Sequence, residues 1–215
     1  MIYTTPNVNI EHRNYDLILS IGNRCISAMA LKYLNLSQES YPFDYIPSNP
    51  KLILKYLNDT KDFFPKKNNI SNVDGIWFGH FNVTDKYEET ISTFERRFQR
   101  LFDALNNKKK ILFIYTSEDD LYNGYANKDN DNTNYDDLCK IRDFIINKYH
   151  YDEIYNFTIM AIHTNKSYKN TNNIYNYSII VESKYISNNM STHTEETYTK
   201  YRETVKSLMK EIFKV

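Results

Sequence analysis

The chain has 215 residues and carries 27 basic and 27 acidic side chains, so its formal net charge is zero. That balance excludes a general nucleic-acid binder, which needs a cationic excess to displace counterions. The length suffices to bury a core without disulfides or metals. The two cysteines, Cys25 and Cys139, are too few for a disulfide framework. No apolar run approaches the length of about 20 residues that spans a bilayer.

The opening segment MIYTTPNVNIEHRN lacks the apolar centre of a signal peptide. The expectation is an intracellular, cytoplasmic chain with reduced thiols, no cofactor, and neither a membrane nor a nucleic-acid partner. Asn, Lys, Ile and Tyr are abundant, and their codons are AT-rich. A large DNA virus or an AT-rich microbe fits that bias, and a viral protein would work in the host cytoplasm.

The elements follow in chain order as one domain over residues 1–215. Residues 1–14 read as a surface leader. Leu17 to Ile21 is a short apolar run before Gly22, the mark of a buried strand. Asn23 is placed to cap the helix that follows. Along that helix Ile26, Met29, Ala30, Tyr33 and Leu34 recur at helical spacing. Ser40 to Ile46 contains Pro42, which suits an edge or a turn.

Asn49-Pro50 opens a second helix with Leu52, Ile53, Tyr56 and Leu57 on one side. A polar loop over 58–74 is pinned by Phe63 and Phe64. Ile76 to Val83 has the aromatic content of a strand and carries His80. Asp85 and Glu88 are spaced as a capping box. The clearest helix runs through Ile91, Phe94, Phe98, Leu101, Phe102 and Leu105.

Lys110 to Thr116 reads as a buried strand, and a long polar loop follows from Glu118 to Thr133. Leu138, Ile141, Phe144 and Ile145 mark a helix. Phe157 to His163 and Tyr177 to Val181 read as strands. Thr192 and Glu195 form a capping box before a last helix whose core face is Tyr198, Tyr201, Val205, Leu208 and Ile212. Strands and helices alternate, so the predicted fold is α/β: a mostly parallel sheet with helices on both faces. Sites in such folds gather at the carboxyl ends of the strands.

Cys25 stands where a helix begins, and a helix dipole with its backbone N–H groups favours thiolate. A packed, inert thiol is the alternative. His80 is the best imidazole partner, with His163 second. Asp44 or Asn82 could orient the ring as a third group does in catalytic triads. Arg97 and Arg100 on the strongest helix could hold an anionic substrate group, or simply form a solvated face. Glu118, Asp119 and Asp120 form an acidic run that is either a metal ligand set or solvated. No His/Cys cluster has zinc spacing, and no dinucleotide or P-loop glycine pattern is present.

Five pieces occur in order: SIGNRCISAMALKYLNL, SYPFDYI, GHFN, FERRFQRLFDAL and KILFIY. Together they resemble a family of viral and bacterial proteins described as papain-like cysteine peptidases and otherwise a domain of unknown function. Its pattern is S-L-G-x-x-C, then S-x-P-F-D-W, then H-F, a paired-arginine helix and an apolar strand. The match covers about residues 16–115, with Tyr45 in place of the usual tryptophan.

The resemblance implies Cys25 as nucleophile, His80 as base, and Asp44 or Asn82 as third group. Backbone N–H groups around Asn23 to Cys25, with Arg24, would meet the substrate, an acyl compound of protein or small-molecule type. It also brings a papain-like α+β fold as the alternative to the doubly wound sheet. Two other readings stand beside the hydrolase. One is an α/β transferase acting on a phosphate- or sugar-bearing substrate, with a non-nucleophilic Cys25. The other is a non-catalytic viral interaction protein.

Overall fold

Alternate side chains of the central strands are apolar in both directions, so the sheet demands cover on both faces. A computed structural model describes residues 1–4, 8–118, 133–151, 156–182 and 195–215. Its strands are β1 (Ile2–Tyr3), β2 (Leu17–Ser20), β3 (Ile111–Thr116), β4 (Phe157–Thr164) and β5 (Ile174–Ile180). They form one sheet in the order β1-β5-β4-β3-β2. β2 through β5 are parallel, and β1 joins β5 antiparallel.

The helices are α1 (Ile26–Tyr33), α2 (Pro50–Asn58), α3 (Tyr87–Asn106), α4 (Thr133–Tyr149) and α5 (Glu195–Phe213). Leu19, Phe113 and Ile159 share a core with Ile53 of α2, Phe98 of α3 and Ile141 of α4. Ile18, Leu112 and Met160, one residue out of phase, share the other core with Ile26 of α1 and Val205 of α5. Two-residue periodicity thus feeds two cores. The α/β class with a mostly parallel sheet is the fold; the papain-like α+β alternative is not.

Because α1 and α2 lie in different cores, the chain between them must pass round the edge strand β2. Glu39 and Tyr41 line a groove with Asp16 and Leu17 near the start of β2. At the other end Ser48 N–H donates to the Asn23 carbonyl at 3.1 Å. The segment therefore climbs alongside β2 and delivers residues 44–48 to the carboxyl end of the sheet. Asn49 then caps α2, its Oδ1 accepting from Leu52 N–H at 2.9 Å, as its sequence predicts.

Several expectations are corrected. Residues 76–83 form turns rather than a strand: Phe81 N–H bonds the Phe78 carbonyl and Val83 N–H the Phe81 carbonyl. Their aromatic residues serve a cluster round Phe63 instead, with Phe63–Phe78 at 5.5 Å and Phe78–Phe94 at 5.3 Å. The first fourteen residues are not merely a surface leader, since Ile2 and Tyr3 pair with β5 and Met1 and Ile10 are buried. Cys25 itself, not Asn23, occupies the N-cap of α1, and its side chain makes no capping bond. Lys86 rather than Asp85 precedes α3. β5 begins at Ile174, before the expected Tyr177. Asp119, Asp120 and Thr192 lie outside the described residues.

The turn after β2 depends on Gly22. A Cβ there would lie 2.3 Å from Ser27 Oγ, 2.6 Å from Thr116 Oγ1 and 3.3 Å from the Thr116 backbone nitrogen. Ser27 and Thr116 are fully buried, so neither can swing into solvent. Gly22→Ala is expected to destabilise by about 1–3 kcal/mol, the usual penalty for overpacking. Urea denaturation should show a lower midpoint at unchanged slope, and a midpoint equal to the parent's would mean that the turn can open without cost.

Candidate functional site

β2 and β3 lie side by side, and their ladder continues beyond the strands: Ile21 N–H donates to the Ile114 carbonyl and Asn23 N–H to the Thr116 carbonyl. The Asn23–Cys25 turn is thereby held beside Ser117 and Glu118. Helix α5 closes over this end from one face. Tyr198 and Tyr201, one helical turn apart, both reach it. The Tyr198 hydroxyl lies 2.9 Å from the Cys25 sulfur, and the Tyr201 hydroxyl donates to the Ser117 carbonyl.

Cys25 is half-buried. Burial pushes its thiol up, and the Glu118 carboxylate pushes the same way. The Tyr198 hydroxyl and the Arg24 cation oppose this without reversing it. The thiolate favoured by the helix N-terminus is thus outweighed by desolvation, and the resting group is a thiol. Glu118 is 3 % exposed, and Arg24 Nε stands 3.7 Å from its carboxylate. Arg24 is engaged in that pair at the rim of the site.

From the other core comes the turn Tyr41–Asp44. Asp44 N–H donates to the Tyr41 carbonyl at 3.2 Å, and Tyr41 N–H donates back to Asp44 Oδ2 at 2.9 Å. This closed loop buries the Asp44 carboxyl, whose pKa burial raises to about 6 against the pull of the Tyr41 N–H and of Arg97. The next residue, Tyr45, has φ 64°, a left-handed conformation that costs a non-glycine residue roughly 1–2 kcal/mol. Burial raises the Tyr45 pKa, Asp44 adds to this and Arg97 opposes it. Its ring packs edge-on against His80 at 6.2 Å. Tyr45 therefore joins the buried acid, its chain neighbour, to the imidazole.

His80 is exposed and meets the rings of Tyr45 and Trp77, with no hydrogen bond among the described residues. Asn82 is elsewhere committed. Its amide donates to Asp85 Oδ2 at 3.0 Å and its Oδ1 accepts from Asp85 N–H at 3.1 Å. It closes the turn before α3 and orients no imidazole.

The two arginines also part company. Arg100 donates to the Ser40 carbonyl at 2.6 Å and pairs with Glu39 at 3.1 Å, so it braces the ascending segment. The Arg97 guanidinium lies over Phe94 and Phe81 at 5.2 and 5.4 Å, in the field of Asp44. Its buried Nη1 has no hydrogen-bond partner among the described residues.

His163 lies at the end of β4, 3 % exposed. The Asn176 amide donates to the Lys169 carbonyl, so Asn176 Oδ1 accepts from His163 Nε2–H at 2.9 Å. Burial lowers the His163 pKa to about 4, and Tyr115, Tyr135 and Tyr168 surround the ring. This is a satisfied, neutral core histidine.

Glu118 and Tyr198 complete the surroundings of the thiol, and neither is singled out as its partner by sequence. Glu118 has one signal, its place as the first acid after a buried strand. Tyr198 has none, because its spacing marks only a core face. Compared with known proteins, the chain matches no family model, no curated protein and no solved structure.

Asp44 and His163 titrate in opposite senses. Asp44 keeps its proton up to about pH 6 when folded but loses it near 3.8 when unfolded, so its contribution falls as pH rises through that window. His163 stays neutral down to about pH 4 when folded but is protonated below 6.5 when unfolded, so its contribution falls as pH falls. Each shift corresponds to about 3 kcal/mol, and the two slopes cancel between about pH 4 and 6. Asp44→Asn, which keeps an acceptor for Tyr41 N–H, should reveal stability that rises with pH by about that amount. His163→Gln should reveal the reverse slope. Urea denaturation at stepped pH reads both, and two variants with the parent's profile would refute the opposed pair.

Proposed function

We propose that this protein is a thiol-dependent acyl hydrolase of the cysteine-peptidase type. Cys25 is the nucleophile, His80 the proton acceptor, and Asp44 the acid that fixes the turn bearing Tyr45. The observation that carries this reading is the meeting of two separate cores at one strand end. The first brings Cys25 at the start of α1, and the second brings the 44–48 segment, tied to the Asn23 carbonyl by Ser48 N–H, with His80 packed against Tyr45. A half-buried thiol, a buried carboxyl and a left-handed tyrosine on segments joined in this way support the reading, since such features cluster at reaction centres.

The chemistry follows from the parts. A thiol held protonated by burial needs a base when substrate arrives. Among the described residues His80 has no competing hydrogen bond, and its ring is exposed. His80 takes the Cys25 proton, the thiolate adds to the acyl carbonyl, and N–H groups at the first turn of α1 stabilise the oxyanion; the leaving group departs with the proton from His80, and water then hydrolyses the thioester to release the acid and the free thiol. Arg97, with an unmatched donor beside Asp44, binds an acidic group of the substrate. In this scheme Asn82 and Arg100 are structural.

A second reading has one observation in its favour. The Cys25 sulfur already has a hydrogen-bonding partner in Tyr198 and a raised pKa, which suits a wall residue of a sugar- or phosphate-binding site. Under it Arg97 meets the anion and the thiol does no chemistry. Thermal unfolding of Cys25→Ala with a panel of sugar phosphates tests this reading, for which a rise of several degrees is expected.

For the hydrolase, iodoacetamide is expected to label Cys25 at least ten times faster than Cys139, as read by peptide mass spectrometry. His80→Ala should slow Cys25 labelling by about ten-fold or more, within the range of general-base effects. Slow and equal labelling of both thiols would eliminate the nucleophile.

A further inference from the structure

The core face of α5 is set by Tyr201, Val205, Leu208 and Ile212, each fully buried. Tyr198 continues that face one turn toward the helix start, yet it is only half-buried. Its ring packs against the same core, and its hydroxyl passes beyond it to the end of the sheet. For packing alone a phenylalanine would serve. The tyrosine adds a polar tip to an apolar body, and that tip meets the Cys25 sulfur at 2.9 Å.

Both ends of this contact are held. The Tyr201 hydroxyl, one turn further along α5, donates to the Ser117 carbonyl. Ser117 N–H in turn donates to the Ile162 carbonyl at 2.9 Å, so the start of α5 is tied to the continued ladder of β3 and β4. Val205 and Met209 of α5 share a core with Ile26 and Ala30 of α1. The helix that carries the phenol thus packs on the helix that carries the sulfur. Cys25 has φ −74° and ψ −9° and its side chain makes no capping bond, so its hydrogen bond lies across this interface, on α5.

The charged neighbours do not serve the sulfur in the same way. Burial is the largest influence on the thiol and the Tyr198 hydroxyl the next, in opposite directions. Glu118, from the end of β3, is buried and opposes a second negative charge. Arg24, on the thiol's own turn, stands 3.7 Å from that carboxylate and favours thiolate less than the phenol does. Tyr45, on the segment tied to Asn23, ionises above the ordinary tyrosine range.

We infer that Tyr198 is a catalytic residue of the Cys25 site: its hydroxyl donates a hydrogen bond to the sulfur as negative charge develops there, and holds the thiolate until it attacks. The inference rests on the reading of Cys25 as nucleophile. The thiol proton still goes to His80 and Tyr198 keeps its own, so no bond to the phenol oxygen forms or breaks. The phenol supplies a donor already aimed at the atom where charge appears, with no reorganisation when it does. A hydrogen bond to an ionised acceptor is roughly twice as strong as a neutral one, so the contact favours thiolate over thiol. That difference separates a catalytic contact from a packing contact.

The test compares Tyr198→Phe with Tyr201→Phe in the full chain. Each loses one hydroxyl from the same helix, and only the Tyr198 hydroxyl bonds the sulfur. The readout is the pH–rate profile of iodoacetamide alkylation at Cys25, by peptide mass spectrometry, with Cys139 as internal reference. In Tyr198→Phe the Cys25 midpoint is expected to rise by about one pH unit, so alkylation below the midpoint slows about ten-fold while the plateau at high pH is kept. The Cys139 profile should not move. Tyr201→Phe should lower the urea midpoint of unfolding and leave the Cys25 profile in place.

A Cys25 midpoint unmoved in Tyr198→Phe, with its urea transition intact, would overturn the inference. So would equal shifts in the two variants, which would assign the effect to the seating of α5. The phenol and the base fail separately. If His80→Ala does not slow alkylation but Tyr198→Phe moves the midpoint, the phenol stands and the base falls. If His80→Ala slows alkylation and Tyr198→Phe leaves the midpoint alone, the base stands and the phenol falls. Alkylation of Cys25 no faster than that of Cys139 in the parent would remove the nucleophile, and the role of Tyr198 with it.

Discussion

The closest approach in the molecule that matters for the site is between two backbones, at Gly22 and Thr116. Parallel strands normally diverge once their ladder ends. Here the Asn23 N–H still reaches the Thr116 carbonyl, and Ser27 and Thr116 fill the space where a side chain would be. That contact fixes the direction in which the chain leaves β2, and so the place where α1 starts. Cys25 can sit at the sheet end beside Glu118 only because the turn is this tight. Any side chain at Gly22 would press on Ser27 and Thr116 and so displace the turn that carries Cys25.

The same turn organises the second core. Ser48 N–H bonds to the Asn23 carbonyl, so the residue that contacts β3 on one side receives the ascending segment on the other. That bond and the Arg100 brace lower down hold the segment that carries Asp44 and Tyr45 at this end of the sheet. The cost is visible in a carboxyl buried against its preference and in a tyrosine at positive φ. Their persistence shows that the surrounding apolar packing of Phe43, Phe63 and Phe98 is strong enough to carry them.

Much of the architecture was legible because it rests on periodicity. Leu17 to Ser20, Ile111 to Thr116 and Phe157 to Thr164 are mostly apolar on both faces, and a sheet covered on both faces makes use of them. Asn49-Pro50 carried its cap in plain view. Ile76 to Val83 misled because an aromatic run satisfies strand propensity and loop anchoring equally well, and propensity does not distinguish a sheet neighbour from Phe63. The N-terminal residues misled for the opposite reason, since a two-residue edge strand leaves no pattern. At the site, Cys25 and Asp44 were visible through their turns. Tyr198 was not, because it lies 173 positions after Cys25 and nothing in the sequence carries a trace of their contact.

The chain builds its turns with few glycines. Its four glycines leave most turns to Asn and Lys at positive φ, such as Asn35, Asn68 and Lys108. Asn tolerates the left-handed region best among non-glycine residues, so its abundance serves turn formation here whatever its genomic origin. Two of the four glycines fall where no side chain fits, Gly22 under the thiol turn and Gly79 beside the Trp77 indole. Gly75 meets the other need: it has open space round it but a φ of 78°, the region that Asn and Lys serve elsewhere in this chain. Glycine is thus kept for the places where a side chain would clash or the backbone turns left-handed, and the tight turn that carries Cys25 is one of them.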